Sequence, residues 1–123
     1  MQNDKAKFKE NFVKRLIKFS VNIINFADKL KSYRTLSPVI NQLIRSATSI
    51  GANVVEAKSS SSKRDYLHFF EIALKSANET KYWLILIKEC ASELNIEIES
   101  LYQENDELAK IIASSILTLK GKK

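Results

Sequence analysis

The chain has 123 residues, enough for one domain with a buried core but too few for two. Two glycines, one proline and one cysteine indicate long helices and exclude an internal disulfide framework. Lys and Arg number 20 against 14 Asp and Glu, which gives a net charge of +6. Acidic macromolecules are therefore candidate partners. No signal pattern precedes Phe8, and the longest apolar run, residues 82–87, is far short of the ~20 residues that span a bilayer. We therefore expect a cytoplasmic protein without a membrane segment.

Apolar residues at steps of three and four predict a first helix over about residues 4–31. Its main stripe is Phe12, Leu16, Phe19, Ile23, Phe26 and Leu30, widened by Val13, Ile17, Ile24 and Ala27. After a short connection, Ser37 and Pro38 signal the start of a second helix over about 38–58, because serine can accept from free amides and proline tolerates the first turn. The serine run 59–62 should end it.

Ser62 followed by Asp65 predicts the cap of a third helix over about 63–94. This helix is apolar on more than one side, so we expect it to contact another subunit. Residues 95–100 should form the last connection before a fourth helix over about 100–120, ended by Gly121. The whole chain, 1–123, is thus predicted to be an all-α, up-down-up-down antiparallel four-helix bundle.

Small and polar residues occupy part of the second and third helices where leucine would be usual. The segment 45–57 reads RSATSIGANVVEA and the segment 69–79 reads FFEIALKSANE. Ala47, Gly51 and Ala52 should let another backbone approach closely. The pattern resembles the 23S rRNA-intervening-sequence protein family, also called the four helix bundle protein family. The matching residues are Arg45, Ser46, Ser49, Ile50, Gly51, Asn53, Glu56, Ala57, Phe69 or Phe70, Ala73, Ser76 and Glu79.

That resemblance implies the four-helix fold and a nucleic-acid role. Proteins similar to this one are encoded within sequences that interrupt large-subunit ribosomal RNA genes. A related family serves as accessory protein to a retroelement reverse transcriptase, and such proteins form homopentameric barrels with basic surfaces. The resemblance therefore implies RNA or DNA as a partner and self-association as a homopentamer, which we place on the third helix.

Charge is unevenly distributed along the chain. Residues 1–64 hold 13 basic and 4 acidic side chains, whereas residues 65–123 hold 7 basic and 10 acidic ones. The antiparallel topology gathers basic residues at one end of the bundle, the basic pole: Lys5, Lys7, Lys9, Lys14, Arg15, Lys58, Lys63, Arg64, Lys120, Lys122 and Lys123. We expect this pole to bind nucleic-acid phosphates without reading sequence, because Lys outnumbers Arg. The alternative is that these residues are an ordinary solvated surface, and the partner then is another protein.

Polar residues at helical spacing predict a hydrogen-bond network between the second and third helices. Its members are Arg45, Asn53, Glu56, Ser76 and Glu79, which should fix the register of the two helices. A di-metal carboxylate site on Glu56 and Glu79 is the alternative. Such a site needs two Glu-x-x-His pairs, and the chain has one histidine, in the spacing Asp65-x-x-His68. We expect no metal and no other cofactor.

Other reactive residues give weak signals. Cys90 has no second cysteine and no histidine close in sequence, which favours packing over nucleophilic catalysis. His68 could stack on a base or pack. The aromatic residues Tyr33, Tyr66, Tyr82, Trp83 and Tyr102 could also be stacking platforms, but their scatter favours core and interface roles. No phosphate loop or catalytic triad motif is present, so we expect a protein that is not an enzyme.

Overall fold

The computed structural model describes residues 3–121, which form four α-helices joined by short connections. The helices span Asp4–Asp28 (α1), Ser37–Ala57 (α2), Lys63–Cys90 (α3) and Asn95–Leu119 (α4). Single-turn 3-10 helices at Arg34–Leu36 and Ser92–Leu94 lead into α2 and α4. The expected all-α four-helix architecture is confirmed. None of these helices has an apolar stretch long enough to cross a membrane.

The contacts between helices show that neighbours run antiparallel. On α2 and α3, Ser46 bonds to Thr80 and Ser49 to Ser76, so residue numbers rise on one helix as they fall on the other. The ion pairs between α3 and α4 follow the same opposed order. Helix α1 packs against α2 and α4, which leaves α1 and α3 diagonally opposed. The tightest packing lies between α2 and α3.

The predicted core stripe of α1 is buried throughout, from Phe12 to Leu30. Two residues that the sequence assigns to the same stripe, Ile17 and Ile24, are instead exposed, Ile17 by 58%. They lie on the side of α1 that lines an open groove beside α2, outside the core. The apolar surface of α1 is therefore wider than the contact that a single bundle gives it.

The helix ends agree with the sequence where a capping residue marks them. Ser62 accepts from the Asp65 amide at 3.1 Å, and Gly121 ends the chain's last turn with φ of +70°. The expected cap at Ser37 is wrong: the helix is flanked by Leu36, and Ser37 is already in the first turn. Pro38 fits that turn because the first helical amides need no acceptor.

The prediction of the last connection is also wrong at both ends. Helix α3 ends at Cys90 because Ala91 leaves the helical conformation, with φ of −136°. Helix α4 begins at Asn95, not near residue 100. Ile98 and Leu101 are buried and hold the first turns of α4 against the core. Neither boundary has a side-chain cap, so no local residue pattern marks it.

The close approach at Gly51 is made by α1. A Cβ atom on Gly51 would lie 3.2 Å from Leu16 Cβ, closer than side chains pack without a shift. Ala47 is buried as expected, whereas Ala52 is exposed and lines the open groove between α1 and α2. The glycine therefore serves the α1–α2 contact rather than the α2–α3 contact.

The α2–α3 interface contains two hydroxyl pairs. The hydroxyl oxygens of Ser46 and Thr80 lie 2.9 Å apart and are fully buried. One turn further on, the oxygens of Ser49 and Ser76 lie 3.0 Å apart. Asn53 donates to the Ser49 oxygen at 2.9 Å, so this predicted member reaches α3 only through Ser49. These bonds join the helices at two levels and define their register.

A second polar group lies at the edge of the same interface. The Arg45 guanidinium pairs with the Glu79 carboxylate, which also accepts from Trp83 Nε1 at 3.0 Å. Gln42 accepts from Arg45 Nε at 2.9 Å and steadies the guanidinium. Because the Arg45 side chain is largely exposed, this pair orients Trp83 more than it adds stability.

Glu56 is not part of this network. Its side chain is exposed and forms no hydrogen bond or ion pair within residues 3–121. The antiparallel register brings this level of α2 opposite Phe69 and Phe70, which offer no donor. The prediction that Glu56 belongs to the network is therefore wrong. Ser46, Ser49 and Thr80 form the contacts between α2 and α3 instead.

The α2–α3 contact can be tested by placing a larger side chain in it. Ser46→Leu should lower the free energy of unfolding by roughly 2–4 kcal/mol, because it loses the bond to Thr80 and also forces α2 and α3 apart. Ser46→Ala should cost only about 1 kcal/mol, since Thr80 still donates to the Ser76 carbonyl at 2.8 Å. Urea unfolding measures both, and Asn41→Leu, at an exposed position of α2, is the control. Equal stability of the leucine and alanine variants would contradict the close contact.

Candidate nucleic-acid interface

Nine of the eleven residues of the basic pole lie within residues 3–121, while Lys122 and Lys123 lie outside the described residues. Six of the nine have no carboxylate partner in this part of the chain, and we call them the cation cluster. They are Lys5, Lys7, Lys9, Lys58, Lys63 and Arg64. All six are exposed. Their charge is therefore available to a partner from outside.

Arg15 does not belong to this cluster. It lies on α1 facing α4, where its guanidinium is 2.6 Å from the Glu104 carboxylate and 3.3 Å from that of Glu107. The hydrogen bond to Glu104 is the main cause that raises the pKa of Arg15 above its usual value. Its position in α1 alone would assign Arg15 to the pole, but the carboxylates of α4 neutralise its charge.

Two further lysines of the pole have weak partners. Lys14 lies 3.4 Å from Glu10 one turn earlier, and Lys120 lies 3.3 Å from Glu71 on α3. Both pairs are well exposed to water, where such contacts contribute little energy. These lysines can exchange a carboxylate for a phosphate at small cost.

The cation cluster surrounds a cleft of about 830 Å³. The cleft lies between the first turns of α1, the α2–α3 loop and the last turns of α4. Lys5, Lys9, Lys58 and Lys63 line it, together with Lys110 from α4, and none of the described residues that line it is acidic. The opening is therefore a concave surface of one charge sign, which concentrates the field on an anion.

The cleft also contains aromatic side chains. Phe8 projects from α1 with 57% of its surface exposed. Tyr66 is half-buried and stacks on Phe70, with ring centroids 5.0 Å apart and an interplanar angle of 18°. Burial raises the pKa of the Tyr66 hydroxyl, so it stays protonated and can donate at neutral pH. The lining further includes the hydroxyl residues Ser60, Ser61, Ser62, Ser114, Ser115 and Thr118.

Helix ends add to the positive potential of this end of the bundle. Helices α1 and α3 begin here, and their N-termini carry partial positive charge. Helices α2 and α4 end here, but Lys58 and Lys120 occupy their caps and offset the negative partial charge. The backbone thus does not cancel the charge of the cation cluster.

The carboxylates of α4, by contrast, are paired with basic side chains. Glu97 pairs with Lys29 at 2.8 Å, and Asp106 pairs with Lys81 at 2.9 Å. Hydrogen bonds from Lys81 and then Lys110 hold the pKa of Asp106 below its usual value. Carboxylates on α4 thus have basic partners from α1 and α3, whereas the cation cluster has none among the described residues. The unbalanced charge of the bundle is concentrated at the basic pole.

The other reactive residues do not assemble into a site. His68 is exposed, with its ring centroid 5.9 Å from that of Phe69. Cys90 is exposed at the end of α3, so it is not a core residue. Within residues 3–121, no three His, Cys, Asp or Glu side chains lie close enough together to hold a metal ion.

Lys110 and Phe8 line the cleft although neither is a predicted site residue. Lys110, Ser114 and Thr118 recur every four residues on one face of α4. That spacing is visible in the sequence, but charge counting at the helix ends overlooks it because Lys110 lies more than two turns from the end. Tyr66, one of the candidate stacking residues, lies in the cleft.

The chain matches the family described as 23S rRNA-intervening sequence protein over residues 9–114. It belongs to this family. A solved structure of a protein of unknown function from the S23 ribosomal protein family of Bacteroides thetaiotaomicron is 34% identical, with a TM-score of 0.80. That match covers 85% of this chain and 97% of the other. No curated protein matches the chain. The family resemblance read from the segment 45–79 is confirmed.

Stability measurements can distinguish Arg15, which is paired with carboxylates, from Lys63, which is not. Arg15→Gln should lower the free energy of unfolding by about 0.5–1 kcal/mol, because it breaks a partly exposed pair that joins α1 to α4. Lys63→Gln should not lower it, since Lys63 has no carboxylate partner among the described residues and lies at the positive N-terminus of α3. Urea unfolding of both variants decides this, and an equal loss in the two would contradict the distinction.

Proposed function

We propose that this protein is a non-enzymatic, cytoplasmic accessory protein that binds the phosphate backbone of RNA or DNA without reading sequence. The observation that supports the proposal is the cation cluster: six exposed basic side chains at one end of the bundle, with no carboxylate partner within residues 3–121. Bound phosphates would release condensed counterions there, and this release is the main source of nonspecific affinity.

The chemistry of the cluster favours backbone contact. Five of its six members are lysines, whose ammonium groups act as point charges rather than as bidentate readers of base edges. They come from the start of α1, the end of α2 and the start of α3. Such a spread over three chain segments suits a curved polyanion better than a single carboxylate.

We also propose that the protein works as a homo-oligomer, the pentamer that the family resemblance implies. Two exposed apolar patches support self-association. The first patch joins α1 and α2 and consists of Ile17, Val21, Ile24 and Val55 around a groove of about 330 Å³. The second patch lies on α3 and consists of Tyr82 and Ile85, near Tyr102 of α4.

The placement of the two patches suits a ring. The α1–α2 side and the α3–α4 side are opposite sides of the bundle, so one bundle can present its first patch to the second patch of the next. Contacts between different surfaces of identical subunits form a ring when the rotation from one subunit to the next closes. At ~1.5 Å per residue, the first patch extends from roughly 5 Å from Lys58, at Val55, to roughly 29 Å from Lys5, at Ile24, and the second lies roughly 29–33 Å from Lys63, so the two overlap in height at Ile24 and Tyr82. Neighbours joined in this way would align their basic poles on one side, where the fields add.

The alternative is a structural or protein-docking oligomer with no nucleic-acid role. The apolar patches favour it, because they offer contact area to another protein as well as to a second copy. The cation cluster distinguishes the two proposals, since a docking oligomer has no need of it.

The nucleic-acid role is tested by removing four charges from the cation cluster. The quadruple variant Lys5→Gln, Lys7→Gln, Lys63→Gln and Arg64→Gln should bind structured RNA and duplex DNA much more weakly. The slope of log affinity against log salt concentration should become shallower by about one unit per cation removed. The control removes the same charge elsewhere: Lys18→Gln, Lys31→Gln, Arg34→Gln and Lys75→Gln. Equal binding by the two variants, or no binding by the original protein at low salt, would overturn the proposal.

The ring is tested by charging each patch separately. Ile24→Glu and Ile85→Glu should each yield a monomer in light scattering, because both side chains are exposed in the single bundle but covered in the ring. An equimolar mixture of the two should form a dimer, since one variant keeps an intact α3 patch and the other an intact α1–α2 patch. Ile96→Glu, 88% exposed near the start of α4, is the control. A monomeric original protein at micromolar concentration would refute self-association.

A further inference from the structure

We propose that the cleft of the basic pole holds an unpaired nucleotide of a single strand, with the base against Phe8 and Tyr66 and the neighbouring phosphates on the lysines. The inference rests on the proposed function and specifies the form of nucleic acid that this site takes. Its basis is the joint presence of aromatic rings, hydroxyl groups and unpaired cations in one concave opening.

The shape of the site argues against duplex as the preferred ligand. A duplex presents a convex surface of phosphates and keeps its bases stacked inside. It could contact the lysines at the rim, but it could not fill a cleft of about 830 Å³. That volume lies in the range of ~300–1,000 Å³ in which proteins bind small organic ligands. A base that leaves the stack and enters the cleft can contact its aromatic, hydroxyl and lysine side chains together.

The aromatic residues supply a place for the base. Phe8 keeps an exposed ring between Lys5 and Lys9, where a solvated surface would ordinarily carry polar groups. Tyr66 comes from α3, and its stacking on Phe70 fixes the orientation of its ring. Proteins that bind single strands combine such rings with a basic groove, because every base has a flat face that can stack.

The polar residues of the cleft match the rest of a nucleotide. Lys58 and Lys63 flank the α2–α3 loop, and Lys110 stands across the opening on α4. A strand whose base enters the cleft would carry its two adjoining phosphates past these lysines. Ser60, Ser115 and Thr118 donate their hydroxyl hydrogens to backbone carbonyls three or four residues earlier. Their oxygens can still accept from base amino groups and sugar hydroxyls, without selecting one base.

An acidic peptide fits the site less well. Its carboxylates would find the lysines, but the exposed ring of Phe8 and the hydroxyl groups would gain nothing from them. The nucleotide satisfies the apolar, hydroxyl and cationic parts of the lining together. The charge of the lining is uniformly basic among the described residues, which agrees with a ligand that carries an anion at every repeat.

Fluorescence anisotropy with a labelled oligoadenylate strand and a blunt RNA duplex of equal length tests the inference. The original protein should bind the single strand more tightly than the duplex. Phe8→Ser should weaken single-strand binding by about tenfold, as expected for the loss of one stacked base, and leave duplex binding unchanged. Ile96→Ser, an exposed apolar residue outside the cleft, is the matched control. Tyr66→Phe should keep the ring contact and most of the affinity.

The outcomes separate this inference from the proposed function. If strand and duplex bind equally and Phe8→Ser has no effect, while Lys63→Gln weakens both, the nucleotide site is overturned and backbone binding stands. If neither nucleic acid binds at low salt, both proposals fall. If Phe8→Ser abolishes binding to vesicles of anionic lipid but leaves single-strand binding unchanged, the cleft holds an amphipathic anion and the inference is overturned.

Discussion

The hydrogen-bonded contact between α2 and α3 is the constraint on which the rest of the bundle depends. Ser46 and Thr80 are buried with their hydroxyl oxygens 2.9 Å apart, and the pair of Ser49 and Ser76 repeats the contact one turn away. A shift by one turn would leave at most one hydroxyl pair between the helices, so this register is the one that forms both. Fixing this register also fixes the loop between the two helices, and with it the positions of Lys58 and Lys63 on either side of the cleft.

The fold was predictable to the extent that local patterns encode it. The stripe from Phe12 to Leu30 and the cap at Ser62 depend on spacing and on one side chain, and both are as predicted. The start of α4 was not predictable, because Asn95 has no capping residue before it and is held by burial of Ile98. Periodicity also cannot tell a residue that faces the core from one that faces a partner, which is why Ile17 was assigned to the stripe.

The candidate site was predictable in its location but not in its composition. Charge counting and antiparallel topology suffice to place Lys5, Lys58 and Lys63 at one end of the bundle. They do not show that Arg15 meets Glu104, because that contact joins residues 89 positions apart and requires the α1–α4 register. The cleft is formed jointly by the start of α1, the α2–α3 loop and the end of α4. Its aromatic lining therefore appears only when the helices are assembled.

Helix α3 is held by polar contacts on both of its packed sides, and this connects the core to the basic pole. Toward α4, the buried Asn105 donates to the Ala77 carbonyl at 2.9 Å, while its Oδ1 has no hydrogen-bond partner among the described residues. An apolar side chain would avoid that unsatisfied oxygen, so the amide costs stability but favours one register, as buried asparagines do in coiled coils. Together with the hydroxyl pairs toward α2, this bond fixes the axial position of α3 relative to both neighbouring helices. Tyr66, at its first turn, is thereby set at the level of Phe8 and the end of α4.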